Sequence, residues 1–413
     1  MQSGGNARRG RNAKRQSGRA EGRTHVSAFG SIERGRELKQ VFILALVLLA
    51  TAGCAGNRAV TGLGRDVAGE THSGAVVPFA VATVRERIDD PAIAYSRDRS
   101  QTLKLSTIDV HIPEMHRPGN VETSSVNPDP RRHFMASNYV PLPDRRAMVA
   151  ELNRRLANRP AAQREIFIFV HGYNNNFAEG LFRNAQIVHD YGVTSVPVHF
   201  SWASAASFTR YLYDRDSAII ARRGLAETLA LAAQTKANGI VIVGHSMGAV
   251  AVMEALRTLS GDKRRDVLKR IKGVLLAAPD LDPDLFRSQI DDIDYLPQPF
   301  TIIVSRRDRA LDLSRRLAGG APRVGSGFDI AFLQNKNIQV LDISEVDSGG
   351  HSLFASSNTL IKFLGSGHLL RRLITDEYAG MDDTFLAAGQ GTFEQASLAL
   401  HLPARVIDRL ATR

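Results

Sequence analysis

The sequence predicts an α/β domain with a mostly parallel central sheet and helices on both of its faces. Three observations carry that expectation. From Ile166 onward, short purely apolar runs alternate with amphipathic stretches. The apolar runs have strand length and lack a polar face, the pattern of strands covered on both sides in a parallel sheet. Glycine, asparagine and proline clusters stand at the junctions, as repeated strand–helix units require.

Taken in order, "VVPFAVATVRE" (76–86) and "LKLSTIDVHIP" (103–113) are rich in β-branched residues and bounded by turn formers, so each reads as a strand. The Pro/Asn/Asp/Arg-rich segment 117–145 reads as a loop and 146–158 as a helix. "IFIFV" (166–170) is the first fully apolar strand. Phe177, Leu181, Phe182, Ala185 and Val188 then give a helical stripe over 177–191. "SVPVHFSW" (195–202) is a strand and 217–233 a helix. "IVIV" (240–243) is a strand, followed by a helix over 249–259. Strands are expected at 271–277 and 300–304, with a Pro/Asp-rich excursion between them. The last strand is expected at 338–343, with a helix over 352–363.

The chain has 413 residues, 43% of them hydrophobic and 23% charged, which suits a globular protein with a substantial core. Its formal charge of +11 is unevenly spread. Residues 1–53 hold ten Lys/Arg against three Asp/Glu, whereas the other 360 residues carry 43 basic and 39 acidic side chains. A basic excess confined to a leader is not the footprint of a nucleic-acid groove, and no nucleic-acid partner is expected.

The leader runs from a polar basic stretch, too poor in hydrophobic residues to build a core, into "VFILALVLLATAGC". Val41–Ala52 is too short to span a bilayer, for which a helix needs about 20 residues. A positive flank, a short apolar run and small residues are the parts of a secretory signal. Cys54, the one cysteine of the chain, follows directly, so no internal disulfide can form. The segment resembles the lipobox of bacterial lipoproteins, which implies lipidation at Cys54 and a location in the cell envelope, at the outer membrane or periplasm if the cell has two membranes. Thr51 stands where such boxes most often carry leucine, and the basic prelude is long for a signal, consistent with a start downstream, near Val26. The expected organisation is a leader with signal at 1–53, a tether at 54–75, one folded domain at 76–364, and a tail at 365–413 to which no role is assigned.

"NGIVIVGHSMGAVAVMEALRTL" (238–259) carries the chemistry. A serine hydroxyl is a weak nucleophile, so it needs a base for its proton and donors for the oxyanion. Gly-X-Ser-X-Gly between strand and helix makes a sharp elbow, where only small neighbours such as Gly244 and Gly248 fit beside Ser246. Partners should follow in the order acid, then histidine, each past the end of a later strand. Downstream of Ser246 the histidines are His351, His368 and His401, and the last two lie in the tail. His351, in "DSGGHSLF", is therefore the expected base. Asp308, past "FTIIVS", is the expected acid. Asp280 and Asp282 are its rivals, Asp347 shares a loop with His351, and Asp312 reads as a helix cap. Oxyanion donors are expected from the N–H groups of Met247 and Tyr173, the latter in "FVHGYNNNF". His171 is read as fixing that loop and bordering the substrate pocket. Trp202 reads equally as a pocket wall or as core.

With these residues in view, the chain resembles a bacterial family of esterase/lipase-like α/β-hydrolases of unknown function. The matching stretches are "VATVRE", "FVHGYNNNFAEGLFRNAQIVHDYG", "FSWAS", "YLYDRDSA", "VGHSMGAVAVMEALR", "LAAPDLD", "SRRDRALDLS", "RVG" and "GHSLF". The resemblance implies the α/β-hydrolase fold over most of 76–364 and a triad of Ser246, Asp308 and His351. It brings no defined substrate. The expected activity is hydrolysis of a carboxylic ester, with acyl transfer or thioester cleavage on the same residues as the enzymatic alternative and an envelope-anchored binding module as the non-catalytic one. No cofactor or metal is expected: there is no phosphate-loop lysine and no clustered ligand spacing. The oligomeric state is not legible.

Overall fold

The computed structural model describes residues 74–90, 94–124, 127–261, 264–327, 329–345, 349–358, 360–361 and 399–401. The leader with Cys54, the tether up to residue 73, Asp347, His368 and nearly all of the tail lie outside the described residues. Among the described residues no helix is long and apolar enough to cross a membrane.

The chain begins with β1 (Val76–Arg87), β2 (Tyr95–His111) and β3 (Met135–Pro141), then α1 (Arg145–Ala157). Strand–helix units follow: β4 (Glu165–Val170), α2 (Phe177–Asp190), β5 (Val196–Ser201), α3 (Tyr211–Ile220), α4 (Arg222–Ala233), β6 (Gly239–His245) and α5 (Gly248–Thr258). The last third holds α6 (Arg265–Arg270), β7 (Ile271–Ala277), α7 (Pro283–Asp291), β8 (Phe300–Val304), α8 (Arg309–Leu317), α9 (Ile330–Asn335), β9 (Ile338–Asp342), α10 (Leu353–Ser356) and β10 (Ala399–His401). Among the described residues, one ten-stranded sheet has the order β10-β9-β8-β7-β6-β4-β5-β1-β2-β3. From β9 to β1 neighbouring strands pair in parallel, and antiparallel β10, β2 and β3 complete the two edges.

Alternation along each strand divides the apolar residues between two cores. Ile166, Ile168 and Val170 of β4 point to the face covered by α1, α4, α5 and α7. Phe167 and Phe169 point to the other face, against Phe177, Leu181, Phe182 and Ala185 of α2. A strand buried on both faces can be apolar at every position, which is why "IFIFV" and "IVIV" carry no polar residue. This is the α/β fold expected, with a mostly parallel sheet and helices on both faces.

Some elements differ from expectation. Met135–Pro141 is a strand inside the segment read as loop; as an edge strand it is mixed in exposure and shows no clean apolar pattern. The helix expected at 217–233 starts earlier, at Tyr211, where buried polar Asp214 and Ser217 interrupt the apolar stripe, and it is divided at Ala221. The Pro/Asp-rich excursion contains α7, whose Pro283 sits in the first turn behind the capping Asp282. The helix after β9 is a single turn, α10, and further helical residues follow Ser357. β9 is not the last strand, because residues 399–401 add β10 beside it and place His401 there.

Candidate active site

β6 ends at His245, and Ser246 turns the chain into α5 with a φ of +53°. A left-handed backbone costs a non-glycine residue about 1–2 kcal/mol, so the surrounding structure must hold it. That hold is visible in hydrogen bonds from Ser246 N to Ala277 O (2.9 Å) and from Asp280 N to Ser246 O (3.2 Å). The flanking glycines are required by contact. A Cβ on Gly248 would stand 2.4 Å from His171 O and 2.5 Å from Val170 O, and one on Gly244 would meet Val252 Cγ2 at 2.9 Å.

The Ser246 side chain meets His351. His351 Nε2 lies 2.6 Å from Ser246 Oγ, and its Nδ1 lies 2.7 Å from Asp308 Oδ2. With Nδ1–H donating to the carboxylate, Nε2 is left as the acceptor for the serine proton. Asp308 divides its work between its oxygens. Oδ2 takes the imidazole, while Oδ1 caps α8 by accepting from the N–H groups of Ala310 (2.9 Å) and Leu311 (3.1 Å). Burial alone would raise its pKa, but the His351 bond and charge and the two backbone donors outweigh it and hold the carboxyl below its usual value.

The rival acids are engaged elsewhere. Asp280 accepts from Ser314 Oγ (2.5 Å) and Tyr211 Oη (2.8 Å) and pairs with Arg323 Nε at 3.1 Å. Asp282 caps α7. Asp312, expected as a cap, instead lies within α8 and pairs with Arg315 and Arg316; the cap is Asp308.

The loop after β4 packs directly on the elbow. A Cβ on Gly172 would stand 3.0 Å from Ser246 Cβ and 2.8 Å from His245 Nδ1, so only glycine lets the 172–173 peptide approach this closely. The Gly172 carbonyl accepts from His171 Nδ1 (2.9 Å) and Asn175 Nδ2 (3.1 Å). Because the peptide is planar and trans, the Tyr173 N–H faces away from those two donors. Met247, buried, opens α5 beside the serine.

His171 departs from the expectation that it borders a pocket, and Trp202 takes the core reading of its two. Both are essentially unexposed and stack face to face with ring centroids 5.0 Å apart. Trp202 Nε1 donates to His171 O at 2.7 Å, and His171 Nε2 accepts from Trp202 N at 3.2 Å. They form the foundation of the loop after β4, not a wall facing solvent. Burial, with Arg85 nearby, keeps the His171 pKa well below its ordinary value, so the ring is neutral.

Sequence reasoning missed what lies beneath. Arg85 of β1 is 1% exposed and spans the underside of the loop. Its Nε donates to Ser201 Oγ (2.8 Å), Nη1 to Ser204 O (3.0 Å) and Nη2 to Asn175 O (2.9 Å). Burial lowers its pKa to about 10, which leaves it cationic at neutral pH. Asp214, also buried, accepts from Ser204 Oγ (2.5 Å), Ala205 N (2.7 Å) and Asn174 N (3.2 Å). In the sequence Arg85 and Asp214 stand only as ordinary charges inside "VATVRE" and "YLYDRDSA". His245, with its Nε2 3.1 Å from His351 O, has its pKa pushed down to about 3 by burial and then by His351. A cavity of about 440 Å³ lies elsewhere, between β1, β2 and α1, and none of the residues above lines it. Chemistry, not cavity size, marks the site.

A search of curated proteins finds no match. A family model described as "Alpha/beta hydrolase of unknown function (DUF900)" matches residues 144–371, which spans α1 to α10 and begins after the strand that supplies Arg85. With more than half of the sequence matched and the sheet and elbow as described, the chain belongs to this family of α/β-hydrolases of unknown function.

Proposed function

We propose that this α/β-hydrolase is a serine hydrolase that cleaves carboxylic esters through an acyl-enzyme on Ser246. The observation that supports this reading most directly is the unbroken relay Ser246 Oγ–His351–Asp308, with contacts of 2.6 and 2.7 Å, at a strained elbow. Ser246 Oγ attacks the ester carbonyl while His351 Nε2 takes its proton. Asp308 fixes the tautomer and stabilises the imidazolium. The N–H groups of Tyr173 and Met247 hold the oxyanion, which Gly172 makes approachable. His351 then returns the proton to the leaving alcohol and activates water, which frees the acid and regenerates the serine. In the same reading Cys54 carries a lipid that anchors the domain in the cell envelope, supported by the apolar run and small residues before it.

A fluorophosphonate probe tests the first part. Labelling of the wild type and none of Ser246→Ala is expected, and failure to label folded wild-type protein would sink it. Profiling with p-nitrophenyl esters of rising chain length then defines the acyl group. For the anchor, palmitate incorporation should disappear in Cys54→Ala; persistent incorporation refutes it.

A further inference from the structure

A second cluster of histidines and carboxylates lies at the C-terminal end of α2, made of residues that the proposed hydrolytic chemistry does not use. We propose that His116, His189 and Asp190 bind a divalent transition-metal ion of the zinc class, with Glu122 orienting His116 from behind. One donor atom from each of the three ligands lies within 4.8 Å of the others. Asp190 Oδ1 is 2.9 Å from His116 Nε2 and 3.2 Å from His189 Nδ1. Tetrahedral zinc with bonds of about 2.0–2.2 Å needs donors roughly 3.3–3.6 Å apart, so an ion enters by an outward shift of a few tenths of an ångström.

The surroundings are those of a ligand set held in place. A metal-bound histidine characteristically gives its other ring N–H to a carboxylate, and His116 Nδ1 lies 2.8 Å from Glu122 Oε2. The second oxygen of Asp190 accepts from Gly119 N at 2.7 Å and Gln186 Nε2 at 2.6 Å, which leaves Oδ1 as the ligand. The side chains of Asp190 and His116 are 0% and 5% exposed, whereas His189 is 37% exposed and gives the ion a way in. Two imidazoles and one carboxylate suit zinc, nickel or copper rather than magnesium or calcium, which take all-oxygen sets.

With three protein ligands, the ion would hold a water molecule in its fourth position. It would cross-link the 116–122 loop to the end of α2. Gln186 also donates to Ala355 O at 2.9 Å, and Tyr191 Oη donates to Phe354 O, so the same helix end supports the turn that follows His351. The competing reading is a metal-free clamp in which an imidazolium at His116 is shared by two carboxylates. That clamp uses His189 little, and this difference decides the test.

Tag-free full-length protein stripped with EDTA is titrated with Zn²⁺ by calorimetry, and Co²⁺ is then used as an absorbing substitute. One equivalent per chain is expected, together with visible Co²⁺ bands of four-coordinate intensity. His189→Ala, a change at a half-exposed position, should weaken Zn²⁺ at least about 10-fold with an unchanged circular-dichroism spectrum, and Glu122→Gln should weaken it by about 10-fold. Wild-type protein that takes up no stoichiometric Zn²⁺, or His189→Ala protein that binds as tightly as wild type, overturns the proposal in favour of the clamp.

Discussion

Two histidine–carboxylate pairs, built from the same residue types at nearly the same distance, face opposite chemical situations. His351 has Asp308 on one nitrogen and the Ser246 hydroxyl on the other. His116 has Asp190 on one nitrogen and Glu122 on the other. Burial would lower the pKa of His116, but the two carboxylates outweigh it and raise it. An imidazole between a carboxylate and a hydroxyl can accept a proton and give it back. One between two carboxylates holds a positive charge in place, as a proton or a metal ion. The atom on the second nitrogen, not the His–Asp contact, separates a base from a clamp.

The sharpest way to break the comparison is to remove the hydroxyl. Ser246→Ala should lower ester turnover by about 10⁴–10⁶-fold, since the nucleophile and its base act as a unit. Thermal stability should hold or rise, because a strained residue at φ +53° is exchanged for one of equal backbone demand and no buried hydroxyl. A variant keeping a tenth of the activity would remove Ser246 from the chemistry.

Next in size is Asp308→Asn. The side-chain oxygen can still cap α8, but the amide now donates toward His351 Nδ1 and forces the wrong tautomer. Turnover should fall by about 10³–10⁴-fold. The melting temperature should barely move, because asparagine is as good a cap as aspartate. Equal losses of activity and stability would mean that the carboxylate serves the helix alone. The rival acid gives the opposite pattern. Asp280→Asn strands the buried Arg323 and should cost about 3 kcal/mol of stability, while kcat in the folded fraction changes less than tenfold.

Altering the clamp should do less. Glu122→Gln gives His116 a single carboxylate, as His351 has. The loss of one charge-assisted hydrogen bond should cost about 1–3 kcal/mol by chemical denaturation, with ester turnover unchanged within threefold. A collapse of turnover would instead tie the α2 end to the working geometry of His351.

The two regions also differ in how far the sequence reveals them. β4 and β6 are legible because burial on both faces leaves the purely apolar runs "IFIFV" and "IVIV", β7 and β8 because only Lys272 and Thr301 interrupt theirs, and the order of Ser246, Asp308 and His351 along the chain follows from their places just past the ends of β6, β8 and β9. The neighbourhood of Arg85 was not legible, since a guanidinium bonded to Ser201, Ser204 and Asn175 is written in the sequence like any surface arginine. Nor was the clamp: His116 and Asp190 lie 74 positions apart, one of them at the edge of a segment read as loop. Strand β3, half exposed at the sheet edge, lacked the periodicity that would have marked it. Burial that is shared by a whole strand is visible in a sequence; burial of one polar group by distant partners is not.

The smallest effect at neutral pH, and one that grows on acidification, comes from a third kind of histidine. His171, His199 and His245 are buried, and burial pushes the pKa of His171 well below its ordinary value and those of His199 and His245 to about 3. The folded state thus keeps these rings neutral while the unfolded chain protonates them near pH 6.5. Below that value the unfolded state binds more protons, so stability falls as pH falls, by at most about 1.4 kcal/mol per pH unit for each ring. His116 has the opposite sign: its contribution is complete below the unfolded value and is lost only as pH rises through its raised folded value, so it does not blunt the decline. Melting temperatures taken in EDTA should be level from pH 8 to 7 apart from the loss at His116, then drop increasingly from 6.5 to 4.5, before most carboxylates titrate. His199→Gln, which removes one of the three rings, should show a shallower decline over the same range. A melting temperature that stays constant from pH 6.5 to 4.5 would mean that these rings are not held neutral, and the foundation beneath the Gly172 loop would then have to be charged.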